Sequence, residues 1–302
     1  MAISRSQLAK ELEPGLNALF GLEYDRYDSE HAEIFDEESS DRAFEEDVML
    51  SGFSTAPVKS EGGSVNFDDA QETYTARYTH ETIALAFSIT EEAVEDNLYD
   101  RLAGRYTRAL ARSMSQTKQI KAAAVLNNAF TAGASAIGDG VALCASTHPT
   151  INGTQSNVLS VAADLNETSL EQMLIDVAGT QDERGLKVAI RGTKLIIPKE
   201  LQFVAERLLN SNLRPGSSDN DINATKSMGM LPEGAVVNHF LTDSDAFFIK
   251  TDCPNGFKLF QRTPLRTAME GDFDTGNMRY KARERYSFGV SDWRSVFGTP
   301  GA

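Results

Sequence analysis

The stretch Ser88–Phe130, SITEEAVEDNLYDRLAGRYTRALARSMSQTKQIKAAAVLNNAF, constrains the fold more than any other. It holds no proline and reads as one helix of about forty residues. Ser88 and Glu91 match a Ser-x-x-Glu capping box, and Glu91 and Glu92 suit the positive end of the helix dipole. At 100° per residue, Val94, Leu98, Leu102, Tyr106, Ala109, Ser113, Ile120 and Ala124 share one side, the predicted apolar seam. Arg101, Arg105, Arg108 and Arg112 form a basic stripe about a quarter turn away. Such a helix measures roughly 60 Å, whereas a compact chain of 302 residues is about 50 Å across. Either it kinks, with Gly104 the candidate, or the molecule is flat and leans on other subunits.

Charge comes next, because it is unevenly placed. The formal net charge is −15. Glu23–Asp47 carries twelve acids against two bases, net −10 and so two thirds of the total. Free solvating tails are poor in aromatics, yet Tyr24, Tyr27, Ile34, Phe35 and Phe44 interleave this run, which predicts an arm that docks onto a surface. The arginine stripe is the predicted surface, with Glu37, Glu38 and Asp41 as partners in the same or a neighbouring chain. The acidic balance argues against nucleic-acid binding as the main task. Two cysteines, Cys144 and Cys253, make no disulfide framework. No apolar run approaches the ~20 residues of a membrane span. Lys10, Glu11 and Glu13 interrupt any secretory signal, so a cytosol-like setting is predicted.

Before the arm, a short helix after Ser4 or Ser6 is predicted to break at Pro14-Gly15. After it, Val48–Ser54 and Thr73–Ile89 read as a long β-hairpin with a turn-rich tip that holds Lys59, Gly62 and Gly63. A two-stranded ribbon is marginal alone and needs a partner surface. Beyond the Gly-rich connector 132–140 lie a helix within Leu165–Glu183 capped by Asn166 or Thr168, a buried strand Lys194–Ile197, a helix after Pro198, and a polar loop 212–223. Val236–Leu241, Ala246–Lys250 and Phe257–Arg262 read as antiparallel strands, and Asn277–Val290 as a long half-buried strand. The class is α+β. The predicted division is an acidic arm 1–47, a hairpin 48–88, a helix 89–130, an inserted unit 131–250, and returning strands 251–302 that pack on the helix.

Chemistry is sparse. There is no phosphate-binding loop, Gly-x-Ser-x-Gly elbow, His-Glu-x-x-His pair or calcium loop. Cys144 and His148, with Cys253 and His239 further on, lack zinc-site spacing, and Cys144 reads as a small buried hydrophobe. A Cys144–His148 nucleophile pair with an acid as orienter is the enzymatic alternative. No cofactor or metal is predicted.

The order arm, extended hairpin, long helix, inserted domain and closing sheet resembles the major capsid proteins of tailed bacteriophages with the Hong Kong 97-type fold. Local stretches are similar to the Mu-like group: T-H-P at 147–149, G-T-Q-S-N at 153–157, D-L-N-E-T-S-L at 164–170, L-I-I-P at 195–198, A-E-R-L-L-N-S at 205–211, N-D-I-N at 220–223, L-T-D-S-D-A-F-F at 241–248 and R-Y-S-F-G-V-S-D-W-R-S-V-F-G at 285–298. The resemblance implies a non-enzymatic structural protein that self-assembles into hexameric and pentameric capsomers of an icosahedral head around double-stranded DNA. It implies that hairpin 48–88 lies over a neighbour, that Ser88–Phe130 with Gly256–Phe297 forms a peripheral domain, and that 131–250 forms an axial domain. Some members weld their shells through a lysine of the extended loop. Lys59 lies near the tip here, but no partner is matched, so that chemistry is not carried over. About forty-five residues precede the hairpin, which predicts a separate scaffolding protein, beside portal and possible decoration proteins. DNA contact is expected to be weak and sequence-independent. Assembly is expected in the bacterial host cytoplasm, without a membrane. The nearest alternative is a cellular nanocompartment shell with the same fold.

Overall fold

A computed structural model describes residues 5–26, 29–90, 92, 99–133, 137–214, 221–272 and 275–302; for 5–12 and 99–102 it describes the backbone alone. Two four-stranded sheets organise the chain. The first runs in the order β1 (Asp36–Ser39), β10 (Phe257–Gly271), β11 (Met278–Val290) and β4 (Glu81–Ile89). The second runs in the order β12 (Val296–Thr299), β9 (Phe247–Thr251), β7 (Gly192–Ile197) and β8 (Ala235–Val237), and β5 (His148–Thr150) with β6 (Gly153–Gln155) forms a separate two-stranded pair.

The first sheet follows from alternation along β11. Tyr280, Ala282, Glu284 and Tyr286 are buried, while Arg279, Lys281 and Arg283 between them are exposed. A period of two places one set on each face. The buried face receives two helices, α1 (Arg5–Tyr24) and α2 (Tyr99–Asn127). Leu16 and Phe20 of α1, Ala103, Leu110, Ala111 and Met114 of α2, and Tyr280 and Ala282 of the sheet form one core cluster. Pro14 stands inside α1 and does not end it, contrary to the predicted break. Docking of Leu16 and Phe20 offsets the hydrogen bond that the proline forfeits.

The long helix begins later than Ser88. Ser88 lies in β4 opposite Arg279, so the capping box does not form; Glu91, Val94 and Leu98 fall outside the described residues. The 29 residues of α2 span about 43 Å and continue through Gly104, which faces Leu19 of α1. The buried face is also not the predicted seam. Ala103, Thr107, Leu110, Ala111, Met114, Lys118, Ala122 and Leu126 are buried, whereas Tyr106 and Ile120 are half exposed. Small residues let the helix approach the sheet closely, and that packing outweighs side-chain size in setting its rotation.

The long hairpin strand is in fact two strands. β2 (Phe44–Leu50) pairs antiparallel with β3 (Glu72–Thr79), then the chain turns at His80 and β4 joins the first sheet. Phe44–Asp47 therefore belong to the hairpin and not to the arm. Buried His80 marks the change of sheet, its Nε2 3.0 Å from Ser40 Oγ and its Nδ1 2.9 Å from Ser287 Oγ.

The second sheet carries α3 (Glu167–Ala178) and α4 (Gln202–Asn210) over a core of Leu170, Met173, Leu174, Leu195, Ile197, Phe247, Ile249 and Phe297. Asn166 caps α3: its Oδ1 accepts from Ser169 N at 2.9 Å, and Ser169 Oγ accepts from Asn166 N at 3.0 Å. β8 pairs parallel with β7, and β9 pairs antiparallel with β7 from the other side, so the strands predicted at Val236–Leu241 and Ala246–Lys250 run in opposite directions without pairing, while Phe257–Arg262 belongs to the first sheet. β12 pairs with β9, so the last strand closes the second sheet and does not lie on α2.

Candidate assembly surfaces and the junction behind them

The arm docks on its own chain. Ile34 and Phe35 are buried, the Phe35 ring 5.2 Å from Phe257 and 5.0 Å from Phe288. Three lysines clasp it from the sheets. Lys194 Nζ donates to Glu33 O and Lys250 Nζ to Ile34 O, each at 2.8 Å, while Lys258 Nζ lies 2.9 Å from Asp47 Oδ2 and 3.6 Å from Glu38 Oε1. Glu30 receives His239 Nδ1 at 2.7 Å. Among the described residues the predicted pairing of Glu37, Glu38 and Asp41 with the arginine stripe does not form within the chain. β1 is the edge opposite β4, whereas α2 lies against β4 and β11. Among the described residues the stripe meets one acid of the predicted arm, its first residue Glu23, which lies in α1, at 3.1 Å from Arg112 Nη2. That guanidinium holds the Glu23 carboxyl below its ordinary value. Arg105 and Arg108 are exposed and pair with no carboxylate among the described residues; the Arg101 side chain lies outside them. Glu37 and Asp41 are exposed as well.

Beyond the β2–β3 ladder, residues 51–71 leave regular structure. Asp68 ties the two limbs together by accepting from the backbone and hydroxyl of Ser54. At the tip Gly62 takes φ +77°, open to glycine, and Gly63 N donates to Ser60 O at 3.1 Å. Lys59 is exposed beside this turn. The apolar side chains here face water: Val58 is 100% and Phe67 97% exposed, with Phe53 and Val65 also exposed.

Behind these surfaces lies a polar junction that joins the sheets. Trp293 is fully buried, with the His148 ring stacked on it at 4.5 Å and 4° and the Arg294 guanidinium 4.3 Å from its centroid. Asn157 Nδ2 donates to the carbonyls of Leu143, Trp293 and Val296 at 2.8–3.2 Å. Its Oδ1 therefore accepts, from Ala145 N at 2.8 Å and His148 Nε2 at 3.0 Å. His148 Nδ1 lies 2.6 Å from Asp139 Oδ2. Arg294 reaches Glu183 Oε1 at 2.8 Å and Asp292 Oδ1 at 3.3 Å, and donates to Gln181 O. Sequence reasoning missed Asp139, Asn157, Glu183 and Asp292; the signal available for Asn157 and Asp292 was their place in the G-T-Q-S-N and S-D-W-R stretches, and Asp139 and Glu183 stand in no such stretch.

The Cys144–His148 pair does not form. Both ring nitrogens of His148 are engaged by Asp139 and Asn157, and burial pushes the Cys144 thiol up, away from thiolate. Among the described residues no metal-ligating group of His, Cys, Asp and Glu converges, and no helix is long and apolar enough to cross a membrane.

Known proteins repeat this architecture. The chain resembles the capsid of an empty GTA particle (11% identity, 91% of this chain and 90% of that one, TM-score 0.57) and the capsid of the cyanophage P-SCSP1u (11%, 89% and 86%, 0.54). It also resembles a virus-like particle from Pyrococcus furiosus (9%, 94% and 97%, 0.53). At these identities the likeness is one of fold, the Hong Kong 97-type. No curated protein sequence matches. The phage capsid protein family matches residues 73–298, from the hairpin's second strand to β12. By that match the chain belongs to the phage capsid proteins, and it is a structural, major capsid subunit.

Proposed function

We propose that copies of this chain assemble into the hexameric and pentameric capsomers of an icosahedral head around double-stranded DNA, with no catalytic role. The observation that carries this reading is the hairpin beyond β2 and β3. A segment that exposes Val58 and Phe67 almost fully, while its polar groups staple it into a fixed loop, is shaped to cover another surface. A second copy is that surface, with Lys59, Gly62 and Gly63 at the contact. The exposed cations Arg105 and Arg108, with Arg101, would meet the exposed acids Glu37 and Asp41 of neighbours, whereas Arg112 and Glu38 are already engaged in cis. In this reading the first sheet with α2 is the peripheral domain, and the second sheet, closed by β12, is the axial one. Separate scaffolding and portal proteins complete the head in the host cytoplasm, with decoration proteins as an optional addition.

Electron microscopy of the purified full chain tests it. Closed icosahedral shells are the expected result; a monodisperse monomer at every concentration and salt overturns it. Shells from the native source that hold enzymes and no DNA would favour a nanocompartment instead.

A further inference from the structure

We propose that the open face of the β10–β11–β4 sheet is a track for the phosphate backbone of nucleic acid. The proposal rests on reading the chain as a shell subunit around DNA, and it names where an acidic subunit would touch that DNA. Arg279, Lys281, Arg283 and Arg285 alternate along β11 on the face away from the helices. Successive members stand about 6.7 Å apart, so the row runs for about 20 Å. Arg266 of β10 lies directly opposite Arg283. Like charges facing each other across strands destabilise a sheet. Here they are kept in a chain with 44 acids to 29 bases.

Carboxylates serve only one end of the row, where Asp272 bonds Arg279 and Glu270 stands opposite it. Arg266, Lys281, Arg283 and Arg285 form no ion pair among the described residues, and the buried Nε of Arg285 has no acceptor. His80 is pushed below its ordinary value by burial first, then by Arg285 and Arg262, against the opposing charge of Glu45.

The surroundings decide the class of anion. Facing the row from β4 are Thr82, Ala84, Ala86 and Ser88, and Ala268 faces Lys281 from β10. These facing positions hold small or hydroxyl side chains and no large apolar one, so the row lacks the aromatic or aliphatic anchor that a protein partner would require. A phosphate backbone needs only a regular row of cations at a surface that a wide double helix can approach, and arginine pairs with phosphate bidentately. The contact would be independent of sequence.

The test is fluorescence anisotropy of a labelled duplex of about 30 base pairs against the unassembled full chain, with salt varied from about 50 to 200 mM. The triple variant Arg266→Gln/Lys281→Gln/Arg283→Gln should lower the slope of log K against log salt by roughly 2–3 and weaken binding at low salt at least ~10-fold. Arg105→Gln/Arg108→Gln on α2 should leave the slope within about 0.5 of the parent. The triple variant should melt no lower than the parent, since repulsion is removed; should it fail to fold, Lys281→Gln alone should lower the slope by about 1. An unchanged slope in these variants overturns the proposal, as does an equal fall per charge in the α2 variant. Loss of self-association with the slope retained would assign the face to an acidic segment of a second copy and likewise overturn it. Microscopy keeps the two readings apart: shells from the triple variant with an unchanged slope sink the track alone, and absence of shells from the parent sinks the capsid reading.

Discussion

The junction around Trp293 and the hairpin tip around Phe67 handle polarity in opposite ways. At the junction, charged and amide groups are buried among their partners; Trp293 Nε1, Glu183 Oε2 and the neighbouring Tyr74 hydroxyl are left without one among the described residues. At the tip, large apolar side chains stand in water with none. A buried ion is tolerated only where geometry satisfies it, and an exposed apolar cluster endures only where something covers it. The junction is thus completed within one chain, and the hairpin tip is not. On the proposed reading the first holds two sheets in a fixed relation, and the second would link subunits.

The contrast is tested most severely at Arg294. Arg294→Met leaves Glu183 and Asp292 buried without their cation, and the unassembled chain should lose about 3–5 kcal/mol in denaturant unfolding. Adding Glu183→Leu should restore more than half of that, because the largest cost is an unpaired charge. If both variants unfold like the parent, the junction is not what joins the sheets. Asn157→Leu comes next, at about 2–4 kcal/mol, since it strands three buried carbonyls and one ring nitrogen. Thermal midpoints measured alongside Asn166→Ala, which removes only a helix cap worth about 1 kcal/mol, rank the two kinds of loss.

Two buried titratable groups sharpen the same point, because they answer pH with opposite signs. Burial first, then Lys118, lowers His31 to about 4. Its folded value lies below the ordinary 6.5, so its contribution is whole above 6.5 and is lost as pH falls from there towards 4, by about 2 kcal/mol at pH 5. Glu284 is raised, by burial foremost. A raised carboxyl favours the fold at pH below its ordinary 4.5 and loses that advantage as pH climbs through its folded value. Glu284→Gln should therefore stabilise the chain at pH 7 and have little effect at pH 4. His31→Gln should flatten the acid limb of the stability curve and leave the neutral limb in place. Unfolding curves from pH 4 to 8 check both, and a same-signed response in the two variants would contradict the assignment.

How much of this was legible in the sequence depended on whether its cause is local. Asn166 and Ser169 announce a helix start because a cap is made within four residues. The alternation of Tyr280 to Tyr286 with charged neighbours is likewise written along a single strand. The break at His80 shows locally only as a change of phase, the inward apolar residues passing from Tyr74, Ala76 and Tyr78 to Ile83, Phe87 and Ile89, while the partner that changes from β2 to β11 is distant in sequence. The rotation of α2 was misread for a related reason. Tyr106 and Ile120 look like core, but the sheet accepts Ala103, Ala111 and Ala122, and that preference belongs to the surface they meet. The arm was legible as something that docks, through Ile34 and Phe35. Its true partners Lys194, Lys250 and Lys258 were not, since each stands alone in its own strand.

The smallest effect on the single chain is expected where the largest effect on assembly lies. Val58→Ser and Phe67→Ser remove apolar surface that is already in water, so neither takes anything from a core. Unfolding of the unassembled chain should move by no more than about 0.5 kcal/mol. If a neighbour covers the tip, the same substitutions remove two anchors from a contact repeated at every subunit, where burial of each side chain contributes about 1.5–3 kcal/mol. The double variant should then fold as well as the parent yet form no closed shells at concentrations where the parent does. Light scattering of the two, beside their melting curves, reads both quantities from one preparation. A double variant that assembles at the parent's concentration would mean that the exposed tip is a free surface, and the opposition between junction and hairpin would lose its functional meaning.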